Sequence, residues 1–295
     1  MQLLVSPVRY AVLSPIAPSV SQSNDAVCDA MLACRKKKIQ EPSSLIWFMR
    51  YRVIRSALGN VGLIIMQQLQ TSELPDFDYQ WKNLPSKFIE YNDDRVSEFL
   101  NFTGLDKNSL QGKLCLDAGC GNGRYSYAMQ RLGAARVDSF DISPEAVARC
   151  KQINPDARVS DIMSLKPDPV YDFVLCWGVL NHVPAPRLAF SHVASQVKPQ
   201  GGMLHIMVYH KDTQKPYDEG RKIWPNLSPE QRLKLCEEKA SIYGGDIHGW
   251  YDAFNPSYNW SFHEKEPKKW FEEEGFREIK LVTKRNINMN GWKRD

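Results

Sequence analysis

The sequence of 295 residues lacks the patterns that mark metal-binding and disulfide-stabilised proteins. Its seven cysteines are scattered without a C-x-x-C pair, and none of its six histidines stands at the spacing of a zinc site. Scattered cysteines are typical of proteins that keep their thiols reduced, whereas small secreted domains pair them. We therefore expect a cytoplasmic location and no metal in the site.

An excess of charge of one sign is also missing from most of the chain. The formal net charge is +4, and residues 1–70 carry eight lysines and arginines against three acids, which leaves 30 against 31 in the remainder. A surface that binds nucleic acid normally needs clustered lysine and arginine. We therefore expect a small-molecule partner and no nucleic acid. Nothing in the sequence indicates the oligomeric state.

No segment suits a membrane span, because three arginines interrupt the hydrophobic stretch within residues 44–70. Apolar residues recur there at helical spacing, which predicts a basic amphipathic helix in an N-terminal extension over residues 1–76. Such a helix either makes a peripheral contact with a membrane surface or packs on the domain that follows. The composition of the first 24 residues predicts a disordered extension, with an extended translation start and a weak organelle-targeting segment as the alternatives.

The strongest positive signal is a glycine-rich loop. The segment 113–132 predicts a buried strand ending at Asp117, a loop, and a helix that includes Tyr125. The loop contains three alternating glycines, Gly119, Gly121 and Gly123. Glycine lets a backbone turn sharply and approach a ligand closely. A dinucleotide-binding pattern, G-x-G-x-x-G, is disfavoured because Arg124 stands where its third glycine would be.

The glycine-rich segment resembles motif I of the class I S-adenosylmethionine-dependent methyltransferases, an acidic residue followed by G-x-G-x-G. Three further elements follow in the order of that family: a strand ending at Asp141, one ending at Asp161, and one through Trp177 whose loop holds His182. The close resemblance covers residues 113–209 and is to small-molecule methyltransferases of types 11 and 12. It implies an α/β fold with a Rossmann-like, doubly wound, seven-stranded sheet, and S-adenosylmethionine as cofactor.

The resemblance also implies which residues hold the cofactor. In the family, the acid that ends the second strand bonds the ribose hydroxyls, here Asp141, and the pair after the third strand flanks the adenine, here Asp161 and Ile162. The implied set is Asp117, Gly119, Gly121, Asn122, Gly123, Tyr125, Asp141, Ile142, Asp161, Ile162 and Trp177. A helix cap for Asp117 and a solvated strand end for Asp141 are the alternatives.

An aromatic cluster at residues 77–81 precedes the expected catalytic domain, residues 77–295, whose first helix is predicted over residues 87–102. Similar segments in small-molecule methyltransferases fold over the cofactor as a lid. Tyr79 and Trp81 are therefore candidate cofactor contacts, and ordinary packing at the domain edge is the alternative.

A long insertion, residues 210–266, follows the predicted fifth strand. Ligands of open parallel sheets bind beyond the carboxyl ends of the strands, so this insertion is placed to cover the acceptor. Its aromatic and amide side chains suit a polar ring such as a sugar or glycoside, or else form the insertion's own core. The candidate acceptor residues are His248, Trp250, Tyr251, Asn255 and Tyr258.

The C-terminal region predicts the end of the sheet. Class I methyltransferases finish with an antiparallel hairpin, for which residues 276–283 are a clear strand and residues 285–290 the candidate partner. A helix over residues 267–274 is predicted to precede this hairpin.

Methyl transfer needs donor and acceptor held at near-attack distance in a dry site, and a general base only where the acceptor must lose a proton. His182 is the first candidate base, followed by His210 and Asp252, and an architectural role is the alternative for His182. The implied reaction moves a methyl group from S-adenosylmethionine to a small polar acceptor. A nucleic-acid or protein methyltransferase, or a cofactor-binding protein without turnover, are the alternatives.

Overall fold

The computed structural model describes residues 75–84 and 90–293, and every structural statement below refers to them. Two units divide the chain, Met1–Met66 and Gln67–Asp295, and all described residues belong to the second. The amphipathic helix predicted within residues 44–70 lies outside the described part, as does almost all of the predicted N-terminal extension. Within that part, no helix combines the length and apolar character needed to cross a bilayer.

Eight strands form one mixed sheet. They are β1 Leu114–Ala118, β2 Arg136–Asp141, β3 Arg158–Val159, β4 Phe173–Trp177, β5 Met203–His210, β6 Ser261–Phe262, β7 Phe276–Thr283 and β8 Asn286–Lys293. The strand order is β3-β2-β1-β4-β5-β8-β7, with β6 paired to β5 beyond the end of β4. Strands β1 to β5 are parallel, and β8 is antiparallel to both of its neighbours. The predicted doubly wound sheet is confirmed, and β6 is a strand that the prediction lacked.

Helices connect and flank these strands. They are α1 Pro75–Asn83, α2 Asp93–Thr103, α3 Arg124–Arg131, α4 Pro144–Cys150, α5 Pro186–Ala194, α6 Lys215–Ile223, α7 Pro229–Tyr243, α8 Ile247–Phe254 and α9 Lys265–Glu273. The prediction of a helix over residues 87–102 began it too early. The side chain of Asn92 accepts the backbone N–H of Asp94 and caps α2, so the helix starts at Asp93.

The sheet is buried on both faces. Successive residues of a strand point to opposite faces, so on β4 Val174 enters one core cluster and Leu175 the other. The first cluster includes Phe190 of α5 and Phe271 of α9. The second includes Phe99 of α2. Helices therefore cover both faces and leave the carboxyl edge of the parallel strands to form a site.

The C-terminal hairpin closes the sheet. Strand β7 has the predicted bounds, and β8 extends beyond the predicted residues 285–290 and lies between β5 and β7. The side-chain oxygens of Asn288 and Asn290 on β8 face the two ring nitrogens of His205 on β5, and the single N–H of the neutral ring donates to one of them. The side chain of Asn290 also donates to the carbonyl of Thr103, at 2.8 Å. Paired amides thus let a polar strand occupy the interior.

Candidate active site

The glycine-rich loop after β1 has a backbone that only glycine adopts easily. Gly119, Gly121 and Gly123 have φ angles of +84°, +54° and +89°. The N–H groups of Gly119 and the following cysteine both donate to the carbonyl of Phe140, at 2.9 Å, and tie the loop to β2. A Cβ on Gly121 would lie 2.8 Å from the Trp81 ring. The Trp81 ring therefore packs closely on this loop, and the approach of a ligand to the loop stays a prediction.

Asp141 stands at the end of β2, directly beside the loop. Its two carboxylate oxygens accept the backbone N–H groups of Gly121 at 2.8 Å and Ser143 at 2.9 Å. Burial raises the pKa of this carboxyl, and the backbone hydrogen bonds oppose that rise. Each carboxylate oxygen can accept more than one hydrogen bond. Asp141 can thus shape the loop and still accept the hydroxyls of a ligand.

Asp117 lies beneath the loop and is only 2% exposed. It accepts a hydrogen bond from the hydroxyl of Ser126 on α3 at 2.6 Å, and that hydroxyl also lies 2.8 Å from Ser139 on β2. Burial is the main cause that raises the pKa of Asp117 to about 6. The residue ties β1, β2 and α3 together under the loop.

Two further residues of the implied cofactor set have their side chains in the interior. Tyr125 packs against Phe102 and Trp177, with ring centroids 4.9 and 5.3 Å apart. Ile162 is 4% exposed and belongs to the core cluster on the α5 face. Ile162 opens a short 3-10 turn capped by Asp161, and this turn directs its side chain inwards. Both residues support the site from below.

The remaining members of the implied set lie around the loop. The carbonyl of Asn122 accepts the hydroxyl of Tyr91 at 2.7 Å. Ile142 and Asp161 are half-buried after β2 and β3. At the end of β4, the half-buried Trp177 packs under the guanidinium of Arg124, 5.2 Å from its ring. All of them follow strand ends at the carboxyl edge of the sheet.

Helix α1 lies across the loop. The ring of Trp81 lies against Gly121 and its centroid is 4.5 Å from that of His248, which belongs to the insertion. Tyr79 stacks on Tyr251 of the insertion at 5.4 Å, and the side chain of Tyr79 is 39% exposed. Trp81 therefore occupies the place expected of a lid residue, whereas Tyr79 joins the lid to the insertion.

The other contacts of α1 reach the ends of β4 and the insertion. The side chain of Gln80 donates to a carboxylate oxygen of Asp252 at 3.0 Å. The ring of Phe77 meets that of His182 edge to face, with centroids 5.8 Å apart. Helix α1 thus contacts the glycine loop and two candidate bases, His182 and Asp252.

His182 is the centre of a buried polar cluster at the ends of β4 and β5. Its Nδ1 lies 2.8 Å from the carbonyl oxygen of Tyr258, its Nε2 3.2 Å from the hydroxyl of Tyr209, and its Nε2 3.9 Å from a carboxylate oxygen of Asp252. A carbonyl only accepts, so Nδ1 carries a proton, and in the neutral form of the ring Nε2 carries the lone pair. Burial, with the nearby Asp252 carboxylate, raises the pKa of Tyr209 far above its usual range, which keeps this hydroxyl protonated.

Three of the candidate acceptor residues hold the insertion together. The indole of Trp250 donates to the carbonyl of Gly244 at 2.9 Å, and Asn255 accepts from the indole of Trp224 at 3.1 Å. Tyr251 packs on Trp224 with centroids 5.1 Å apart. The insertion's own core contains Leu84, Trp224, Cys236, Trp250, Tyr251, Ala253 and Phe254. Trp250 and Tyr251 therefore lie in a local core, where the alternative placed the aromatics, and contact of these three residues with the acceptor stays a prediction.

His248 differs from its neighbours because one ring nitrogen is left without a partner. Its side chain is buried beside Trp81, and Nε2 has no hydrogen bond among the described residues. Burial lowers the pKa of this histidine, so its neutral form is favoured. An unpaired buried polar atom beside the lid and the glycine loop fits a ligand bound there.

The structure places His210 away from His182. Tyr209 and His210 are consecutive on β5 and therefore point to opposite faces of the sheet. Tyr209 joins His182, whereas His210 lies beside Asp212 and His263. His210 is therefore not part of the cluster that contains the other two candidate catalytic residues.

Sequence reasoning missed several residues of the site. Tyr209 is the penultimate residue of β5, which pairs with β4, and His182 follows β4. The convergence of parallel strand ends was a signal that pointed to Tyr209. Tyr91 and Gln80 reach the site through tertiary contacts. No local motif marks either of them.

Comparison with known proteins identifies the family. A family model described as a methyltransferase domain matches residues 88–281. A ubiquinone biosynthesis O-methyltransferase of Vibrio cholerae serotype O1 is 30% identical over 227 residues, covering 68% of this chain and 91% of the relative. The chain belongs to the class I S-adenosylmethionine-dependent methyltransferases. The enzyme of the same name from Neisseria meningitidis serogroup C is 28% identical over 173 residues, 50% of this methyltransferase and 72% of the relative.

Among solved structures, the magnesium protoporphyrin IX methyltransferase of Synechocystis PCC 6803 aligns with 83% of this methyltransferase and 99% of its own chain, at 18% identity and a TM-score of 0.43. The cofactor of the present protein is S-adenosylmethionine, as the resemblance implied. Three features fit this cofactor. They are the glycine-rich loop, the carboxylate oxygens of Asp141, which can accept further hydrogen bonds, and the unpaired ring nitrogen of His248. A sugar or glycoside acceptor finds no support, since both curated relatives are named for ubiquinone biosynthesis.

Proposed function

We propose that this methyltransferase methylates an oxygen of a small hydroxylated acceptor, with phenols and quinone precursors as the substrate class. The main support for this proposal is the lone pair that Nε2 of the neutral His182 ring offers at the carboxyl edge of the sheet. A hydroxyl acceptor must lose its proton, which is the case that calls for a general base. Relatives named ubiquinone biosynthesis O-methyltransferases support oxygen as the acceptor atom.

The cofactor supplies a methyl group on a positively charged sulfur, which is already activated for displacement, so the protein's task is to position, dehydrate and deprotonate. The glycine loop and Asp141 hold the adenosyl part. Trp81 covers the loop, and Phe77 shields His182. These contacts exclude water from the space between the loop and the base.

His182 takes the acceptor proton in this proposal. The hydrogen bond from Nδ1 to the Tyr258 carbonyl fixes the ring, so Nε2 is the basic atom. The Tyr209 hydroxyl, which lies at Nε2, can donate to Asp252 instead and leave Nε2 to the acceptor hydroxyl. The carboxylate of Asp252, 3.9 Å away, then stabilises the protonated ring.

The test is turnover of labelled S-adenosylmethionine with a panel of phenols, quinone precursors, sugars and small carboxylates. For the acceptor that is methylated, His182→Gln should lower kcat by about 10²-fold or more, the usual contribution of a general base. Calorimetry should show unchanged cofactor affinity, since His182 does not contact the glycine loop. The pH–rate profile should lose one ionisation in the variant.

A matched control is His192→Gln, because His192 is half-buried on α5 and its Nδ1 lies 3.1 Å from the carbonyl of Ile162, away from the cluster. This variant should keep wild-type kcat. Methylation of sugars alone, or equal loss of activity in both variants, would contradict the proposal.

We also propose a reducing, cytoplasm-like compartment for this enzyme. In the described part of the chain the cysteines are free, namely Cys115, Cys120, Cys150, Cys176 and Cys236. All five are buried. Free thiols persist where disulfides are reduced, which supports this location.

A further inference from the structure

Three side chains of the kinds that bind metal ions lie close together, where the two ends of the insertion meet. His210 and Asp212 open the insertion, and His263 stands near its end. One ligand atom of each lies within 4.8 Å of the others. A carboxylate oxygen of Asp212 is 3.7 Å from Nδ1 of His210, and the two imidazole centroids are 5.9 Å apart.

Strand pairing, rather than a flexible surface conformer, brings these residues together. Strand β6 runs parallel to the end of β5, with Tyr209 opposite Ser261 and His210 opposite Phe262. The residue after β6 is His263, which therefore lies beside the residues that follow His210. The backbone ladder fixes the positions of both histidines before any ligand binds.

Asp212 and His263 are open to solvent, whereas His210 is half-buried. The backbone N–H of Asp212 donates to Nδ1 of His210 at 3.2 Å, so that nitrogen carries a lone pair, and a metal ion bound there would take the place of this hydrogen bond. The Asp212 side chain is 79% exposed, and His263 is exposed as well. Bonds of 2.0–2.2 Å to a tetrahedral ion require donor separations of roughly 3.3–3.6 Å, so binding would draw these side chains closer together than the 4.8 Å within which they now lie.

The neighbouring charges do not oppose a cation. The ammonium of Lys211 is 3.7 Å from a carboxylate oxygen of Glu266, which balances its charge. The same carboxylate accepts the backbone N–H of His263 at 2.8 Å and holds this part of the chain.

We propose that His210, Asp212 and His263 bind a divalent transition-metal ion, Zn²⁺ in the first instance, with a fourth position open to water. Two imidazoles and a carboxylate are ligands that zinc accepts. The ion would cross-link the two ends of the insertion that carries His248 and Asp252. Cysteine and histidine spacing along the sequence predicted no such site, because pairing of β5 with β6 brings distant residues together.

The test is metal binding by the full chain after chelator treatment. Calorimetry with Zn²⁺, and visible absorption with Co²⁺ as the probe, should show one saturable site. Loss of one ligand side chain should weaken Zn²⁺ binding by about tenfold or more, because loss of a residue that only supports a ligand already has an effect of that size. His263→Ala and Asp212→Asn should both show this loss, and His192→Gln should bind as the wild type does.

Both ligand substitutions change exposed side chains, so the variants should fold. Thermal unfolding without metal should give the wild-type Tm for each variant. Added Zn²⁺ should raise the Tm of the wild type only, because binding to the folded state stabilises it. Absence of a saturable site in the wild type, or equal Zn²⁺ affinity in His263→Ala and the wild type, would overturn the proposal. None of these measurements depends on methyl transfer.

Discussion

Buried histidines in this protein differ in chemistry because their hydrogen-bond partners differ. His182 faces a carbonyl and a hydroxyl, which leaves one nitrogen basic. His205 is fully buried between the side chains of Asn288 and Asn290. Burial lowers the pKa of His205 to about 4, and the two asparagines offset only part of that effect.

Because the pKa of His205 is lowered in the fold, we expect the protein to lose stability in acid. An unfolded histidine titrates near 6.5, whereas His205 in the fold has a pKa of about 4, so the unfolded chain binds more protons between these values. Its contribution is present above pH 6.5 and is lost as the pH falls towards 4, by about 3 kcal/mol in total. His205→Gln should flatten this part of the pH profile, as measured by urea unfolding at several pH values.

Asp117→Asn is the matched comparison, because the contribution of Asp117 to stability changes with pH in the opposite direction. Asp117 has a pKa of about 6 in the fold, above its ordinary value of 3.8, so its contribution is present below pH 3.8 and lost as the pH rises through 6. Removing this carboxyl should make the acid loss steeper. A His205→Gln protein that loses stability in acid as steeply as the wild type would refute the assignment to His205.

At single residues, the sequence predicted what a local motif encodes. Asp141 and Gly121 stand where the motif placed them, and each has the expected environment. Trp250 and Tyr251 show the opposite case, because an aromatic side chain suits a pocket and a core equally well. Only their burial against Trp224 and Phe254 decides between the two.

Among the elements, the glycine loop gives the sharpest test of how backbone shape serves cofactor binding. Gly121 has φ +54° and its Cβ position meets the Trp81 ring, whereas Gly112 has φ +70° and nothing within 4 Å. Alanine at either position should destabilise the fold by about 1 kcal/mol or more through backbone strain. Only Gly121→Ala should also lower S-adenosylmethionine affinity, by about tenfold or more, since binding must then displace the lid or the loop.

Calorimetry with the cofactor and urea unfolding, applied to both glycine variants, separate strain from crowding. Gly112→Ala reports the strain alone. Equal cofactor affinity in the two variants would show that contact between Trp81 and the loop has no part in binding.

Other elements show why sequence patterns miss some of the fold. Strand β8 contains three asparagines, which are poor strand formers, and the side-chain oxygens of Asn288 and Asn290 find a partner in His205 of β5. Strand β6 has two residues, too few for any periodicity to show. Both strands depend on partners far away in the sequence, which a local pattern cannot reveal.

At the scale of the whole molecule, the candidate site is assembled from separate parts of the chain. Helix α1 supplies Trp81, the sheet and the turn after β4 supply Asp141 and His182, and the insertion supplies His248 and Asp252. The family resemblance predicted the sheet residues because their order along the chain follows the strands. How α1 reaches both the loop and the insertion follows from tertiary packing alone.

The segment 1–70 yields the last prediction, since it carries eight basic residues against three acids while the rest of the chain is nearly neutral. A basic amphipathic helix binds anionic membranes, at about 1 kcal/mol for each basic residue near the surface. The full chain should therefore sediment with anionic vesicles, and less so at high salt. A chain lacking residues 1–70 should not sediment, yet should keep its affinity for S-adenosylmethionine, because the cofactor loop lies elsewhere.

Two triple variants locate the charges that matter while removing the same net charge. Replacing Arg50, Arg52 and Arg55 by glutamine alters the predicted helix, whereas replacing Lys36, Lys37 and Lys38 leaves it intact. The arginine variant should release from anionic vesicles at lower salt than the lysine variant, since the predicted amphipathic helix would place its charges beside the apolar face that enters the interface. If the shortened chain instead loses cofactor binding and cooperative unfolding, the segment belongs to the folded enzyme, and the membrane interpretation must be given up.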